Sequence, residues 1–201
     1  LGRLVVAHQR HNVSLVSWSG SIFEYLMPLL LQRNYDDTLL EIACRGAVSY
    51  QIDYGHRHQV PWGISESAYN LVDRDQIYQY RAFGLPGLGV KRGLADDLVI
   101  APYATALALM VDAKEACKNL QAMVELGYSG DYGMFEAIDY TRSRLPVGVD
   151  RAIVHSFMAH HQGMSLISFA HALLGGRMQE RFHSDLLMKS AELLLQERIP
   201  K

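Results

Sequence analysis

Residues 36–52, DDTLLEIACRGAVSYQI, carry small and apolar side chains at the spacing of one helical face. Leu39, Ile42, Ala43 and Ala47 follow the i, i+3, i+4, i+8 pattern, and aspartates precede the first of them. The segment therefore predicts an amphipathic helix with an aspartate as its N-cap.

The flanking segments extend the helical pattern over most of the chain. Residues 21–33, SIFEYLMPLLLQR, have helical spacing with Ser19 or Ser21 available as the N-cap, and Pro28 predicts a kink or a short break. The remaining predicted helices are one starting near Ser65 or Ser67, one introduced by Pro102, one capped by Asp112 and ending at Gly127, one from Asp150 to Leu174 stopped by Gly175 and Gly176, and one from Ser184 to Glu197.

Strands are not indicated, because no stretch shows a convincing alternation of β-branched and polar residues. We therefore predict an all-α fold in which antiparallel helices alternate with long loops rich in glycine and aromatic residues. The loops fall mainly in residues 55–93 and 127–146. In a helical protein, loops of this length usually build a site.

Composition narrows the functional classes. The 201 residues are 49% hydrophobic, as in a globular domain, and the net charge of −2 disfavours nucleic acid or an anionic membrane as the main partner. No apolar run is long enough for a signal peptide or a membrane span, so membrane insertion is not expected. Cys44 and Cys117 are isolated, which indicates a reducing compartment, and the absence of an HExxH motif gives no reason to expect a metal or organic cofactor.

The first candidate site segment is WGISES, residues 62–67. Trp62 offers a flat apolar face for a sugar ring, Gly63 permits close approach of the backbone, and Glu66 supplies a carboxylate at a predicted helix start. In the alternative interpretation a serine caps the helix, Glu66 is an ordinary first-turn acid and Trp62 belongs to the core. The segment alone does not decide between them.

The second candidate segment is GDYGMFEAIDY, residues 130–140. Glu136 and Asp139 would share one face if the stretch were helical, and Tyr132 and Tyr140 would surround them. Aromatic surroundings favour a carboxyl group that acts as a general acid. The alternative is a capped turn with solvated acids.

The two segments together suggest glycoside cleavage. That chemistry needs two carboxyl groups across one bond, about 5 Å apart for retention and about 6.5–9.5 Å apart for inversion. We take Glu66 and Glu136 as the pair, with Glu24 as a reserve candidate for the acid because it also lies among aromatic residues.

A third segment, AHHQGMS, carries His160, His161 and Gln162. Adjacent helical residues point about 100° apart, so only one of the two histidines can face a given site. That histidine, with Gln162, would donate hydrogen bonds to a sugar hydroxyl or to a catalytic carboxylate. A buried structural histidine is the alternative.

Seven blocks in order carry a resemblance to a known family: SWSGSIFEYLMPLL, YGHRHQVPWGISESAYN, YQYRAFGLPGLGVKRGLADDLVIAPYATALAL, YGMFEAIDYT, RLPVG, MAHHQGMSL and ELLLQERIP. From about Val16 to Pro200, the chain resembles the glycoamylase-like domain of cyclic β-1,2-glucan synthases, which is related to bacterial endo-β-1,2-glucanases. The resemblance implies an (α/α)6 toroid with a glucan-active cleft, in a large polypeptide with a glycosyltransferase domain before it and a phosphorylase-like domain after it. It also implies a cytoplasmic location within an inner-membrane-anchored protein.

Carried over residue by residue, the resemblance implies that Glu66 and Glu136 are the catalytic pair, acting by hydrolysis or transglycosylation. Twelve helices and their connections need roughly 300 residues or more, so residues 1–201 are expected to form one domain that is the C-terminal part of the toroid, an incomplete barrel cut from a larger protein. A non-catalytic glucan-binding module and a structural scaffold remain alternatives at this point. The implied cleft residues are Trp62, Tyr69, Tyr132, Asp139, Tyr140, His160, His161 and Gln162.

Overall fold

The computed structural model describes residues 3–8 and 12–198; the last two residues of the ELLLQERIP block, at 199 and 200, lie outside these ranges. Helices form the largest share of the regular structure. The α-helices in the described ranges are α1 Ile22–Leu26, α2 Leu39–His58, α3 Pro102–Leu107, α4 Ala113–Glu125, α5 Ala159–Leu174, α6 Arg177–Phe182 and α7 Leu186–Ala191. Short 3₁₀ helices cover Met27–Leu30, Leu94–Asp96, Ala108–Met110, Arg142–Arg144 and Glu192–Gln196.

Short antiparallel strands lie between the helices, so the all-α prediction is wrong. Strands of two to six residues are too short to show the alternation that a sequence pattern requires. The four sheets in the described part of the chain pair β1 Val5–His8 with β2 Asn12–Leu15, β3 Ser67–Val72 with β4 Tyr78–Arg81, β6 Ser129–Gly130 with β7 Gly133–Met134, and β8 Ala137–Asp139 with both β5 Val99–Ile100 and β9 Ala152–Val154.

Several predicted helices are confirmed with their end signals. Ser21 caps α1 in a capping box with Glu24, and Pro28 lies in the 3₁₀ segment that interrupts the helical run. Asp112 caps α4 by accepting a hydrogen bond from the Glu115 backbone. Helix α2 is also present, but its cap is Thr38 rather than an aspartate.

Two predicted helices are wrong in whole or in part. The stretch after Ser65 forms a strand, β3, because its backbone pairs with β4 instead of forming a helix. Residues 150–158 do not belong to the helix that follows, since Ala152–Val154 add to the edge of β8 and Val154 is buried there. The helical pattern from Ser184 is confirmed as α7 and its 3₁₀ extension.

Helix α3 lies at the centre of the core and is buried along its whole length. It contacts α1, α4 and α5, and therefore shows no polar face in the sequence. Fully buried side chains from the surrounding elements include Ile22, Leu26, Met123 and Ile138. Across residues 3–8 and 12–198, none of the helices has both the length and the apolar character of a membrane span.

The glycine-rich stretch GLPGLG, residues 84–89, packs against the segment before α1. Ser17 donates its backbone N–H to Leu88 O at 2.9 Å. A Cβ on Gly84 would lie 1.8 Å from Ser19 O, so only glycine permits this approach. This stretch, which belongs to the loop after β4, thus holds the segment before α1 in place.

Candidate active site

Glu136 and His161 form a buried contact between a strand and a helix. Glu136 directly precedes β8 and His161 lies in the first turn of α5, and they are 2% and 1% exposed. His161 Nδ1 lies 2.9 and 3.0 Å from the two carboxylate oxygens of Glu136. The backbone N–H of Ala68 donates to Glu136 Oε1 at 3.2 Å. The carboxylate is thus fixed by donors from α5 and β3.

Tyr80 connects this pair to Glu66. Its hydroxyl, at the solvent side of β4, donates to Glu66 Oε1 at 3.0 Å and lies 3.4 Å from His161 Nε2. Four side chains therefore form one continuous sequence of contacts, Glu66–Tyr80–His161–Glu136. Glu66 and Glu136, the two acids singled out from the amino-acid sequence, therefore lie at the two ends of these contacts.

Tyr103 holds the imidazole in place from the core side. Its ring stacks on His161 with centroids 3.6 Å apart and an angle of 8° between the planes. The Tyr103 hydroxyl donates to the backbone oxygen of Glu66 at 2.9 Å and lies 2.8 Å from Ser65 Oγ. One tyrosine on α3 therefore orients both the histidine and the backbone that carries Glu66.

Both tyrosines keep their protons over a wide pH range. Burial raises the pKa of Tyr103 well above its ordinary value. Burial also raises the pKa of Tyr80, and its hydrogen bond to the Glu66 carboxylate adds to this increase. The two hydroxyls are therefore stable hydrogen-bond donors at neutral pH.

The outer rim of the site is accessible to a ligand. Tyr80 is 40% exposed, Glu66 is partly buried and His160 is exposed beside them. The His160 ring lies 4.0 Å from that of His161, and loss of hydration, followed by the neighbouring His161, lowers the pKa of His160. The site thus has a polar, accessible rim over a buried carboxylate.

Gln162 lies beside this site and fixes the β7 backbone. Its Nε2 donates to Met134 O at 3.2 Å. Gln162, Glu136 and His161 share the wall of a cavity of about 180 Å³ with apolar residues. The other residues that line this cavity are Pro102, Tyr103, Ala106, Leu120, Gly133, Met134, Phe135, Ser165 and Phe169.

Glu66 and Asp139 do not occupy the local structures expected for them. Glu66 precedes a strand rather than a helix. Glu136 and Asp139 do not share a helical face, because the chain is extended there and residues three apart on a strand point to opposite sides. Asp139 is 0% exposed and accepts from the backbone of Asn70 and from Arg144, so it is a structural ion-pair partner instead of a cleft residue.

The ion pairs around Asp139 form a network below β3. Arg144 Nε lies 2.7 Å from Asp139 Oδ2, and Arg144 Nη1 lies 2.5 Å from Asp97 Oδ1. Burial alone would lower the pKa of Arg144, but its hydrogen bonds to Asp139 and Asp97 outweigh burial and raise it. Arg81 also contacts Asp97, which extends the network to β4. Sequence reasoning missed this network because it joins separate segments of the chain, with Arg144 47 residues after Asp97.

Trp62 is a core residue, and the sugar-platform interpretation is wrong for it. Its side chain is 4% exposed, so its ring has no free face for a ligand. Its backbone binds Asn119 and Thr105, which join the segment to α4 and α3. The exposed tryptophan is Trp18, which is 71% exposed.

The three predicted cleft tyrosines have different environments. Tyr69 packs edge-on against Phe83 and below the guanidinium of Arg144. The Tyr140 hydroxyl is hydrogen bonded to that of the buried Tyr128, and burial raises the pKa of Tyr140. Tyr132, at the turn between β6 and β7, is 83% exposed and is free to contact a ligand.

Tyr132 forms part of an exposed aromatic surface. Its ring packs edge-on against Phe157, with centroids 6.0 Å apart. Phe157 is itself 38% exposed and contacts Phe135, which lines the cavity next to Glu136. This surface therefore adjoins the buried acid.

Glu24 belongs to a different part of the molecule. Its carboxylate accepts from Ser17 Oγ at 2.7 Å and from the backbone N–H groups of Ser19, Gly20 and Ser21. Burial alone would raise the pKa of Glu24, but these hydrogen bonds, led by that from Ser17, outweigh it and lower the pKa. The residue caps α1, and this structural role does not support its use as a reserve acid.

Tyr80 and Tyr103 are the site residues that sequence reasoning missed. Both lie within the block YQYRAFGLPGLGVKRGLADDLVIAPYATALAL, yet neither is next to an acid that marks it. Only the pairing of β4 with β3 and the packing of α3 against α5 bring them to Glu66 and His161. Among the described residues, no group of three His, Cys, Asp or Glu side chains is arranged to hold a metal ion.

The sequence model of the Glycoamylase family matches residues 5–185. The chain belongs to the glycoamylase family. It is 47% identical over 201 residues to the cyclic β-(1,2)-glucan synthase NdvB of Rhizobium meliloti (strain 1021). The match covers 100% of this chain and 7% of NdvB, so the glycoamylase-family chain spans a small part of that relative. These findings confirm the family resemblance seen in the sequence.

Solved structures show the same glycoamylase-family fold. The endo-β-1,2-glucanase from Chitinophaga pinensis, in complex with sophorotriose and glucose, aligns with a TM-score of 0.66 at 13% identity, covering 97% of this chain and 46% of the glucanase. The β-1,2-glucanase from Parabacteroides distasonis aligns with a TM-score of 0.61 at 16% identity, covering 88% and 24%. At these identities the similarity establishes the fold.

Proposed function

We propose that this chain acts on β-1,2-glucan by glycoside hydrolysis or transglycosylation, with Glu66 and Glu136 as the catalytic carboxylates. The observation that supports this most directly is the convergence of the two acids on Tyr80 and His161. Glu66 comes from the loop before β3 and Glu136 from the segment before β8. Two acids from separate segments thus meet at one site through Tyr80 and His161, and glycoside cleavage uses a pair of carboxyl groups.

The chemistry assigns one carboxyl to the leaving oxygen and the other to the opposite face of the sugar. The first protonates the glycosidic oxygen, and the second either attacks the anomeric carbon or activates a water or a sugar hydroxyl. Glu136 is held by His161 and Ala68 in the buried part of the site, whereas Glu66 lies at the accessible rim. The two environments differ in depth and in donors, which is consistent with separate roles.

The proposed substrate class follows from the relatives and from the surface beside the site. NdvB is a cyclic β-(1,2)-glucan synthase, and a structural neighbour is a glucanase in complex with sophorotriose and glucose. Exposed aromatic rings stack on the apolar faces of sugars. Tyr132 and Phe157 provide such rings, and the formal net charge of −2 suits a neutral ligand.

We also propose that the chain forms the C-terminal part of an (α/α)6 toroid within a large multidomain polypeptide. The Chitinophaga pinensis glucanase is covered to 46% by a match that includes 97% of this chain. Helix α5 exposes Leu166 and Leu173, and α7 exposes Leu186 and Leu187, at 69–80%. Such apolar faces suit packing against further helices. An inner-membrane-anchored, cytoplasmic setting for the whole polypeptide is part of this proposal.

Glu136→Gln in the intact protein tests the catalytic assignment. The amide keeps the size of the side chain, so binding of linear β-1,2-gluco-oligosaccharides is expected to persist. Turnover should fall by about 10²–10⁴-fold, since the substitution removes an acid–base group. Binding is measured by titration calorimetry and turnover by chromatography of the products. Turnover equal to that of the unmodified protein would exclude a catalytic role and leave a glucan-binding module.

A further inference from the structure

We propose that Tyr80 is a positioning residue that couples the protonation of Glu66 to that of the His161–Glu136 pair. The inference rests on the proposed function and extends it to a residue that contacts Glu66 and also His161, the partner of Glu136. Tyr80 is the shared neighbour, with its hydroxyl 3.0 Å from Glu66 Oε1 and 3.4 Å from His161 Nε2.

The strand pairing fixes Tyr80 with respect to both acids. Tyr80 on β4 lies opposite Ala68 on β3. The Ala68 backbone N–H donates to Glu136, and Glu66 lies two residues before Ala68 in the chain. The pairing of Tyr80 with Ala68 therefore fixes the position of the tyrosine hydroxyl relative to both carboxylates.

Because the Tyr80 hydroxyl carries a single proton, its hydrogen bonds link the protonation state of Glu66 to that of His161. Tyr80 has one proton, so its hydroxyl can donate to Glu66 or to His161 Nε2, but not fully to both. When it donates to Glu66, its oxygen is free to accept from a protonated Nε2. When Glu66 is protonated and Nε2 is not, Glu66 can donate to the Tyr80 oxygen while the hydroxyl turns to Nε2.

A proton can pass along the same contacts without a net change in Tyr80. The hydroxyl gives its proton to the Glu66 carboxylate as its oxygen accepts the proton of His161 Nε2. Glu66 then becomes a neutral acid and His161 a neutral imidazole that still faces Glu136 through Nδ1. The transfer moves one proton from His161 to Glu66 and leaves the tyrosine as it was.

The position of His161 makes it a suitable partner for this transfer. The ring is clamped by Tyr103 at 3.6 Å and by Glu136 at Nδ1, so Nε2 is held toward Tyr80. Burial and the hydrogen bond to Glu66 raise the pKa of Tyr80, which disfavours a free phenolate. The ionisable groups that face Tyr80 from the surrounding elements are Glu66, Tyr103, Glu136, His160 and His161.

Tyr80→Phe tests the coupling in the intact protein, because the phenyl ring keeps the packing and only the hydroxyl is lost. We expect kcat on linear β-1,2-gluco-oligosaccharides to fall about 10- to 100-fold, as for the loss of one hydrogen bond to a charged group. KM should change little, and the pH dependence of kcat should shift. Tyr78→Phe is the matched control, since it removes a hydroxyl from the same strand outside the Glu66–His161 contacts; its pH profile should equal that of the unmodified protein.

The outcomes separate this inference from the proposed function. If Glu66→Gln and Glu136→Gln abolish turnover while Tyr80→Phe lowers kcat equally at every pH, the Tyr80 hydroxyl acts only as a fixed hydrogen-bond donor and the coupling is refuted. An unchanged rate in Tyr80→Phe also refutes it. If instead both glutamine variants keep full turnover, the proposed function itself fails.

Discussion

Asp139→Asn is expected to destabilise the fold and to leave glucan binding by the folded protein intact. The Asp139 carboxylate has no exposed surface and accepts from the backbone N–H groups of Asn70 at 3.0 Å and Thr141 at 2.9 Å. It also accepts from Arg144 Nε at 2.7 Å. The single carboxylate therefore ties β3 to β8 and to the turn that follows it.

The magnitude follows from the burial of this pair. Removing one partner of a buried ion pair costs about 3–5 kcal/mol, because the other charge is left without compensation. The asparagine retains one acceptor oxygen, and Asp97 remains 2.5 Å from Arg144. Both features place the expected loss near the lower limit, at about 3 kcal/mol. That is a large fraction of the roughly 5–15 kcal/mol by which domains are stable.

Urea denaturation measures this loss, with tryptophan fluorescence as a signal because Trp62 is buried in the core. Asp150→Asn is the matched control. The Asp150 side chain is 94% exposed and lies 3.9 Å from Arg142, so its loss should change stability by less than about 0.5 kcal/mol. Stability within about 1 kcal/mol of the unmodified protein, together with loss of oligosaccharide binding, would refute the structural assignment and place Asp139 in the cleft.

Three further substitutions test the packing before α1, a glycine within α5 and the cap of α1. Gly84→Ala should cost about 2–3 kcal/mol in thermal denaturation, because its Cβ would lie 1.8 Å from Ser19 O; Gly163→Ala, whose Cβ meets nothing within 4 Å, should instead stabilise α5 by about 0.5–1 kcal/mol. Equal changes in stability for the two alanine variants would contradict the close approach of Gly84 to Ser19. Glu24→Gln should cost about 1 kcal/mol at pH 7. Since the folded-state pKa of Glu24 is lowered from 4.5, its contribution is complete above that pH and declines as the pH falls through the folded-state value. Urea denaturation should therefore show a smaller difference in stability between Glu24→Gln and the unmodified protein at pH 3 than at pH 7. An equal difference at the two pH values would contradict this.

The helices with strong end signals could be predicted from the sequence. Helix α4 has its Asp112 cap, and the run before Pro28 is interrupted as the proline requires. These features depend on residues a few positions apart, so local pattern suffices. The strands could not be found in this way, because a strand such as Ser67–Val72 is stabilised by pairing with Tyr78–Arg81.

The acids of the candidate site were found through the family resemblance and their aromatic surroundings, but their supporting groups were not. Tyr80 lies 14 residues after Glu66, and His161 lies 25 residues after Glu136. Their contacts arise from strand pairing and helix packing. Trp62 is the opposite case, a residue predicted at the site that lies in the core. Its position depends on the placement of α3 and α4 rather than on neighbouring residues.

The most direct test of the central claim compares Glu66→Gln, Glu136→Gln and the double variant in turnover of linear β-1,2-gluco-oligosaccharides by the intact protein. Residues that act as one catalytic unit have non-additive effects. We therefore predict a loss of about 10²–10⁴-fold in each single variant and little further loss in the double variant. Turnover by the double variant within a few-fold of that of the unmodified protein would contradict the claim that these two carboxylates cleave the glycosidic bond.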